Sequence, residues 1–289
     1  MKKRPSIVLY HSDCLDGFCS FWVAWKKFGI HASYYAVSPR QLPFPISKIR
    51  NTEVYVVDNS LSKKDIQTLQ AQGCAVIILD HHKSSEADVK NADVYVFDTK
   101  HSGAMLAWKY FFPQQKAPWL VKYVEDGDLW NFKLAHTDQI RNMLVLKGFH
   151  LKQWNLFARA LEDPLKKRTL IAQGEIVEQY RRTLIGQSTQ KAYLVKFAGH
   201  TVYAVNEATQ SIRSEVAHLL YKKKPPFSIV WSLEGDMISV SLRSDGKFDV
   251  SKLAQKYGGG GHPVASGFTF PAKNPFPWHI VKTTQKGVY

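Results

Sequence analysis

The sequence predicts an α/β protein in two parts: an N-terminal domain built on a parallel sheet and a smaller C-terminal α+β domain. Two observations indicate this. Up to about residue 112, apolar runs alternate with segments of helical spacing, and runs such as CAVIILD are apolar throughout, as in strands covered on both faces. After residue 190 strands follow one another in hairpin-like pairs. We therefore expect domains at residues 1–190, with a helical connector over about 150–190, and at 191–289.

The N-terminal domain alternates strands and helices. Ser62 and Ser102 are expected helix caps, and Pro113 ends the last of these helices. The strands are predicted at 6–10, 31–37, 53–58, 74–80 and 93–98, and the helices at 16–28, 62–72 and from 102 onward.

The rest of the chain is first helical and then mixed. Asp163 and Pro164 open a helix predicted to run to about residue 189. Predicted strands follow at 192–197, 201–206, 227–232, 237–244 and 265–270, with helices at 212–222 and after Asp249.

Composition narrows the class of protein. The 289 residues carry 39 Lys and Arg against 24 acids, a formal charge of +15, which favours polyanionic partners. Three cysteines without a CxxC pattern exclude a disulfide scaffold and suit a reducing compartment. The N-terminal apolar run is too short for a signal peptide or a membrane span. We expect a cytoplasmic protein with no membrane partner.

Acids and histidines follow three of the predicted strands. His11, with Asp13 and Asp16 close behind, ends the first, Asp58 ends the third, and Asp80-His81-His82 ends the fourth. The carboxyl ends of parallel strands share one edge, so these groups should meet there. Clustered carboxylates repel one another unless a cation joins them. Mixed imidazole and carboxylate ligands suit Mn²⁺, Fe²⁺ or Zn²⁺, and paired ions are a recurring arrangement for phosphoester hydrolysis.

Two further segments carry candidate groups. VEDGDLW brings Glu125, Asp126 and Asp128 together and could supply a fourth contribution to the metal site. GGGGHPVASG, residues 258–267, offers backbone N–H groups that can bind phosphate. Arg243 ends a neighbouring strand and can clamp a phosphate.

The motifs, in order along the chain, are HSDCLDG, VVD, LDHH, SGAMLAW, EDGDLW and GGGGHPVASG. The order of these motifs resembles the DHH phosphoesterase superfamily with its DHH-associated C-terminal domain. The branch is that of nanoRNases and RecJ-like exonucleases, and the resemblance spans residues 11–267. It implies a manganese-dependent phosphodiesterase with two divalent cations, whose active-site cleft lies between a catalytic domain (1–190) and a substrate-binding domain (191–289).

The resemblance also assigns roles. Asp58 bridges both ions, Asp80 orients the histidines, and His82 contacts the scissile phosphate or protonates the leaving group. The implied metal ligands are His11, Asp13, Asp16, Asp58, His81 and Asp126. The implied catalytic residues are Asp58, His81 and His82. The implied substrate-binding residues are His82, Arg243, Ser244, Gly259, Gly260, Gly261 and His262.

Two positions depart from the family pattern or leave a choice. The usual Asp-x-Asp register reads Cys14-Leu15-Asp16 here, so either Asp13 reaches the metal from a distorted turn or Cys14 takes its place. A thiolate would shift the site towards zinc or iron. In EDGDLW either Asp126 or Asp128 could be the ligand, and we choose Asp126.

The function predicted first is hydrolysis of short oligonucleotides or linear dinucleotides to mononucleotides by a hydroxide that bridges the two metals. One alternative is a RecJ-like single-strand exonuclease. Another is a phosphatase for cyclic dinucleotides or nucleoside bisphosphates. A third is a catalytically inactive nucleotide-binding protein. Trp130, Phe132 and Phe248 could stack on bases or belong to the core, and a homodimer is one option for the assembly.

Overall fold

The structure, a computed structural model, describes residues 4–38 and 45–281. The chain divides into two compact units, Met1–Glu178 and Gln179–Tyr289. The division falls inside a long helix, so one helix contributes residues to both units.

The first unit is built on a five-stranded parallel sheet, counted over the described residues. Its strands are β1 (Ser6–His11), β2 (Ala32–Val37), β3 (Glu53–Val57), β4 (Ala75–Asp80) and β5 (Val94–Phe97). Their order is β2-β1-β3-β4-β5, so the chain reverses its winding direction between β1 and β3. In such sheets ligands bind beyond the carboxyl ends of the strands at that reversal point.

Helices cover the sheet and extend the unit. They are α1 (Leu15–Phe28), α2 (Lys63–Ala71), α3 (Glu86–Val89), α4 (Gly103–Phe111), α5 (Trp119–Asp128), α6 (Thr137–Lys147), α7 (Leu151–Glu162) and α8 (Pro164–Gln190), with short 3₁₀ turns at Gly29–His31, Ile46–Lys48 and Lys83–Ser85. The predicted caps are present, because Ser62 Oγ accepts from Asp65 N and Ser102 Oγ accepts from Met105 N. No helix in the described part of the chain has the length and apolarity needed to cross a membrane.

The strands at the centre of the sheet, β1, β3 and β4, are largely apolar because both of their faces are buried. Along β1, Val8 packs into a core with α1, α4 and α5, while its neighbour Leu9 packs into a second core on the other face. Along β4, Leu79 and Ile78 divide in the same way. This confirms the predicted fold class, and it leaves the strand ends as the place where polar groups collect.

The second unit contains a mixed seven-stranded sheet, again counted over the described residues, in the order β10-β11-β9-β8-β7-β6-β12. Strands β7 and β8 run parallel and the other neighbours antiparallel. The strands are β6 (Tyr193–Phe197), β7 (His200–Asn206), β8 (Phe227–Glu234), β9 (Met237–Ser244), β10 (Gly260–His262), β11 (Ala265–Pro271) and β12 (His279–Ile280), and the helices are α9 (Gln210–Lys223) and α10 (Val250–Gln255). The sequence did not predict β10, because a glycine run has no strand signal of its own and pairs only through its neighbour β11.

Candidate metal centre at the strand ends of the first unit

The three strand ends that carry histidines and acids meet at one edge of the parallel sheet. His11 is the last residue of β1, Asp58 follows β3 directly, and His81 follows β4. His81 Nε2 lies 3.1 Å from Asp58 Oδ1, and His11 Nδ1 lies 3.5 Å from Asp58 Oδ2. Asp58 has a φ of 53°, a left-handed conformation at the point where its chain leaves the sheet. Residues far apart in sequence therefore surround one carboxylate at the reversal point of the sheet.

Asp58 is buried without the hydrogen bonds that a buried carboxylate normally has. It is 1% exposed, and neither of its oxygens has a hydrogen-bond partner among the described residues. His11 Nδ1 is a third buried polar atom without such a partner. A buried polar group without a hydrogen-bond partner lowers the stability of the fold by about 1–3 kcal/mol, and a charged group lowers it by more. Polar atoms of this kind point to a missing partner, and a cation is one that carboxylate and imidazole share.

Asp16 reaches the same place from α1, and the start of α4 holds it there. Its Oδ2 accepts from Gly103 N at 2.6 Å and its Oδ1 from Ala104 N at 3.1 Å. These are N–H groups of the first turn of α4, which have no partner within the helix and favour negative charge. Asp16 Oδ2 also lies 3.8 Å from His81 Nε2. The SGA segment thus orients a candidate ligand through its backbone, a role that residue types alone do not reveal.

At the first motif Cys14 rather than Asp13 faces the cluster. Asp13 is exposed, with a left-handed φ of 53°. Cys14 Sγ groups with His11 and Asp58, and their candidate ligand atoms all lie within 4.8 Å of one another. Between the two alternatives in the sequence, the geometry favours Cys14, and Asp13 takes no part.

At the fourth motif Asp128 rather than Asp126 faces the cluster, so the geometry does not support our choice of Asp126. Asp128 Oδ2 lies 3.8 Å from His81 Nε2, and Asp128, Asp16 and His81 form a second group with ligand atoms within 4.8 Å. Asp126 instead accepts from Lys133 N and Leu134 N through its two carboxylate oxygens. Both acids lie near the end of α5, and only the direction of each side chain separates them.

We call the resulting set the strand-end cluster, and it consists of His11, Cys14, Asp16, Asp58, His81 and Asp128. Burial by itself raises the pKa of Asp58, but His11 and His81 hold that pKa well below its usual range. Burial would lower the pKa of His81, yet the neighbouring carboxylates raise it to about 10. The pKa values of Asp16 and Asp128 are raised by burial and by the charge of Asp58. The cluster therefore carries more negative charge than its own side chains balance, and it fits divalent cations.

His82 lies beside the cluster, and Asp80 fixes the orientation of its ring. Its Nδ1 lies 2.7 Å from Asp80 Oδ1, and the same oxygen accepts from the backbone N–H groups of His81 and His82. Ser85 Oγ donates to the other carboxylate oxygen of Asp80. Asp80 thus has the contacts that an orienting residue requires, and it fixes which nitrogen of His82 points away from the sheet.

Two glycines allow the cluster to close. A Cβ on Gly103 would lie 2.4 Å from Asp58 Cβ, and one on Gly17 would lie 2.1 Å from the carbonyl oxygen of His11. Both distances are shorter than any non-bonded contact of a Cβ atom. Helices α4 and α1 can therefore approach the strand ends this closely only with glycine at these positions.

In the second unit, the predicted substrate-binding residues differ in how their polar groups are used. Ser244 is 4% exposed, and its Oγ donates to Phe248 O at 2.7 Å, lies 3.1 Å from Pro263 O and accepts from Gly246 N. Its hydroxyl therefore supports a turn, which does not favour the predicted contact with substrate.

The predicted phosphate-binding glycine loop is also partly used by its own backbone. Gly259 N donates to Ala254 O at 3.0 Å, which ends α10, and Gly260, Gly261 and His262 form β10. Arg243, by contrast, carries its guanidinium beside Ser214, with Nη2 donating to Ser214 Oγ at 2.8 Å. Burial and nearby Arg213 lower the pKa of Arg243 to about 10, so it remains cationic at neutral pH.

Comparison with known proteins agrees with this architecture. Residues 193–277 match the DHHA1 domain family. Oligoribonuclease NrnB of Bacillus subtilis is 24% identical over 90% of this chain and 71% of its own length. An uncharacterized protein, R106, of Acanthamoeba polyphaga mimivirus is 26% identical over 93% of this chain and 68% of its own length.

Solved structures share the fold at lower identity. The DHH domain of a member of the s1p family of ribosomal proteins superposes with a TM-score of 0.60 at 15% identity, over 91% of this chain and 82% of that one. RecJ from Thermus thermophilus, in complex with Mn²⁺, gives a TM-score of 0.50 at 15% identity, over 91% of this chain and 49% of that one. A parallel unit with acids and histidines at its strand ends, followed by a DHHA1 unit, defines a class of phosphoesterase. Residues 193–277 thus belong to the DHHA1 domain family, and over most of its length the chain is similar to a DHH phosphoesterase such as NrnB.

Proposed function

We propose that this chain is a divalent-metal-dependent phosphodiesterase that hydrolyses short oligonucleotides or linear dinucleotides to mononucleotides. One observation carries the proposal: the carboxylate of Asp58 is buried, has no hydrogen-bond partner among the described residues, and is flanked by imidazoles from two other strand ends. A structural carboxylate at a turn would accept backbone N–H groups, as Asp80 does.

Two cations fit the strand-end cluster. Asp16, His81 and Asp128 would hold one, and His11 and Cys14 the other, with Asp58 between both groups. Such ions lower the pKa of a bound water and neutralise charge on a phosphate. Manganese is the ion we propose for the first group, because its ligand atoms are all nitrogen and oxygen. The thiol of Cys14 makes the second group softer.

The chain's own side chains supply the remaining chemistry. Asp80 holds Nδ1 of His82, so we assign Nε2 of His82 to a phosphate oxygen or to the leaving group. In the second unit we assign Arg243 to a substrate phosphate, since its guanidinium lies at the end of β9 and stays cationic. His262 and the adjoining glycines stay a prediction.

Two observations support a short nucleic-acid substrate. The relative NrnB is named an oligoribonuclease. The net charge of +15 favours substrates with several phosphates. The neighbour RecJ, crystallised with Mn²⁺, supports manganese as the first ion to test.

A substrate-length series tests the proposal. The purified protein, with its metal content measured, is assayed with Mn²⁺ on single-stranded oligonucleotides of 2 to 20 nucleotides. The proposal expects the highest kcat/KM for two to four nucleotides and mononucleotides as products. Cleavage that improves steadily with length would favour a RecJ-like exonuclease, and release of phosphate from nucleoside bisphosphates alone would favour a phosphatase.

A paired substrate tests the role of Arg243. Arg243→Gln should raise KM for a dinucleotide with a 5′-terminal phosphate by about tenfold, since one charge-assisted contact is lost. The same variant should change KM little for the dinucleotide without that phosphate. Equal effects on both substrates would contradict the assignment.

A further inference from the structure

We propose that Trp130 and Phe132 form a stacking platform for a nucleobase of the substrate, and that Asp126 holds this platform in place. The inference rests on the proposed nucleic-acid substrate and goes beyond it by naming the residues that take the base. We call Trp130 and Phe132 together the aromatic platform.

The aromatic platform is exposed, although large aromatic rings normally pack inside. Trp130 is 43% and Phe132 38% exposed, and their rings lie 5.6 Å apart at an angle of 87°. The third aromatic candidate, Phe248, stacks on Phe227 at 4.8 Å and packs against the core of the second unit. The structure thus separates two rings that can receive a ligand from one that cannot.

The aromatic platform lies close in sequence to the strand-end cluster. Trp130 is two residues beyond Asp128, which spans at most about 7 Å of chain. A base joined to a phosphate at the cluster would lie within a few ångströms of that phosphate. Exposed Lys133 follows directly and adds positive charge beside the rings. Base stacking on aromatic rings combined with basic side chains is the usual means of binding single-stranded nucleic acid.

The backbone of the platform is strained. Trp130 has a φ of 54° and Phe132 a φ of 47°, and His136 at the start of α6 has a φ of 70°. Bulky residues seldom adopt this left-handed conformation, and each costs about 1–2 kcal/mol. Burial offsets only part of that cost, because Trp130 and Phe132 remain 43% and 38% exposed. Strain that surrounding contacts maintain is typical of functional sites.

Asp126 supplies the contacts that maintain the strain. Its carbonyl oxygen accepts from Asn131 N at 2.9 Å and from Phe132 N at 3.2 Å. Its carboxylate accepts from Lys133 N at 2.9 Å, Leu134 N at 3.0 Å and Thr137 Oγ1 at 2.5 Å. Asp126 therefore holds residues 131–134 of the turn, while Trp130 N donates to Gly127 O, and we assign Asp126 as a positioning residue for Phe132 rather than as a metal ligand.

The test compares a linear dinucleotide with an analogue that carries an abasic sugar in place of one nucleoside. Trp130→Ala and Phe132→Ala should each raise KM for the dinucleotide about 5- to 100-fold and leave kcat within about twofold. For the abasic analogue lacking the stacked base, the variants should match wild type. Tyr95→Ala, which removes a 46% exposed ring from β5, is the control and should change neither constant.

Two variants separate stacking from folding. Trp130→Gly removes the ring and relieves the positive φ, so it should unfold at the same or a higher temperature while KM rises. Trp130→Phe should recover most of the wild-type KM. Asp126→Ala removes only the carboxylate contacts to Lys133 N, Leu134 N and Thr137 Oγ1, so it should raise KM less than Phe132→Ala does and should not reduce bound metal. Combining it with Phe132→Ala should add little, because both changes disturb the same ring.

The affinity for the dinucleotide is also measured in EDTA, where no cleavage occurs. This measurement tests the aromatic platform independently of the proposed function. If wild type cleaves no dinucleotide, the proposed function fails, yet weaker binding by Trp130→Ala still supports the platform. If wild type cleaves the dinucleotide but Trp130→Ala and Phe132→Ala bind and cleave it as wild type does, the platform is wrong. Equal loss for the abasic analogue also overturns it, because the rings would then support the fold and not a base.

Discussion

The strand-end cluster and the glycine segment of residues 258–262 carry equally prominent sequence motifs, but the structure treats their polar groups in opposite ways. In the cluster, both carboxylate oxygens of Asp58 and Nδ1 of His11 are buried atoms without a hydrogen-bond partner among the described residues. Around the glycine segment, Ser244 makes three hydrogen bonds and the N–H of Gly259 ends a helix. Buried polar groups that the fold leaves unsatisfied therefore favour a ligand site at the cluster over one at the glycine segment.

The largest expected effect is the loss of activity when Asp58 is removed from the strand-end cluster. Asp58→Ala should reduce kcat by at least about 10³-fold, because both candidate cation positions lose a shared ligand. The metal-free variant should unfold at a lower temperature than wild type, because His11 and His81 lose the carboxylate with which they pair. Steady-state kinetics and thermal unfolding in EDTA measure both. Activity within a few fold of wild type would contradict the two-cation arrangement.

Gly103→Ala tests the packing around Asp58 without removing any ligand. Its Cβ would overlap Asp58 Cβ, so Asp58 or the start of α4 must move. We expect kcat to fall about 10- to 100-fold, as when a group that positions a metal ligand is lost. Gly186→Ala is the matched control in α8, because its Cβ meets no atom within 4 Å, and it should stabilise the protein by up to about 1 kcal/mol. Equal kinetics for the two alanine variants would show that Asp58 tolerates displacement.

Cys14→Asp tests whether Cys14 is a ligand of the cation position that it shares with His11. Replacing the thiol by a carboxylate should raise the ratio of Mn²⁺-supported to Zn²⁺-supported activity by about tenfold, because thiolates favour zinc over manganese. Metal analysis of the purified variant should show the same change in bound manganese. Asp13→Ala is the control, since Asp13 is exposed and outside the cluster. An effect of Asp13→Ala larger than that of Cys14→Asp would restore Asp13 as the ligand.

The smallest expected effect on activity comes from the second unit. Ser244→Ala should lower the free energy of unfolding by about 1–3 kcal/mol, because Phe248 O and Gly246 N lose their contact with the hydroxyl, while Pro263 O keeps its bond from Val250 N. KM and kcat should stay within about twofold, since the hydroxyl serves the turn. Chemical denaturation and steady-state kinetics together check this, and a large rise in KM with unchanged stability would return Ser244 to the substrate-binding residues.

The sequence by itself determined the parallel sheet and the meeting of its strand ends. Apolar runs, caps at Ser62 and Ser102, and the polar residues that follow each strand are local signals, and the geometry of a parallel sheet turns them into one edge. His11, Asp58 and His81 were predicted for this reason, and the structure brings them together.

Only the tertiary structure showed which of two neighbouring residues faces the cluster and which contacts hold the site residues in place. Cys14 rather than Asp13, and Asp128 rather than Asp126, face the cluster because backbone conformation at one or two residues sets where each side chain points. Asp16 is held by α4 through a contact between segments 87 residues apart in sequence, and the exposure of Trp130 depends on the left-handed conformation of its turn. Such contacts leave no periodic pattern, because they are made through the backbone or through space rather than by a repeat in residue type.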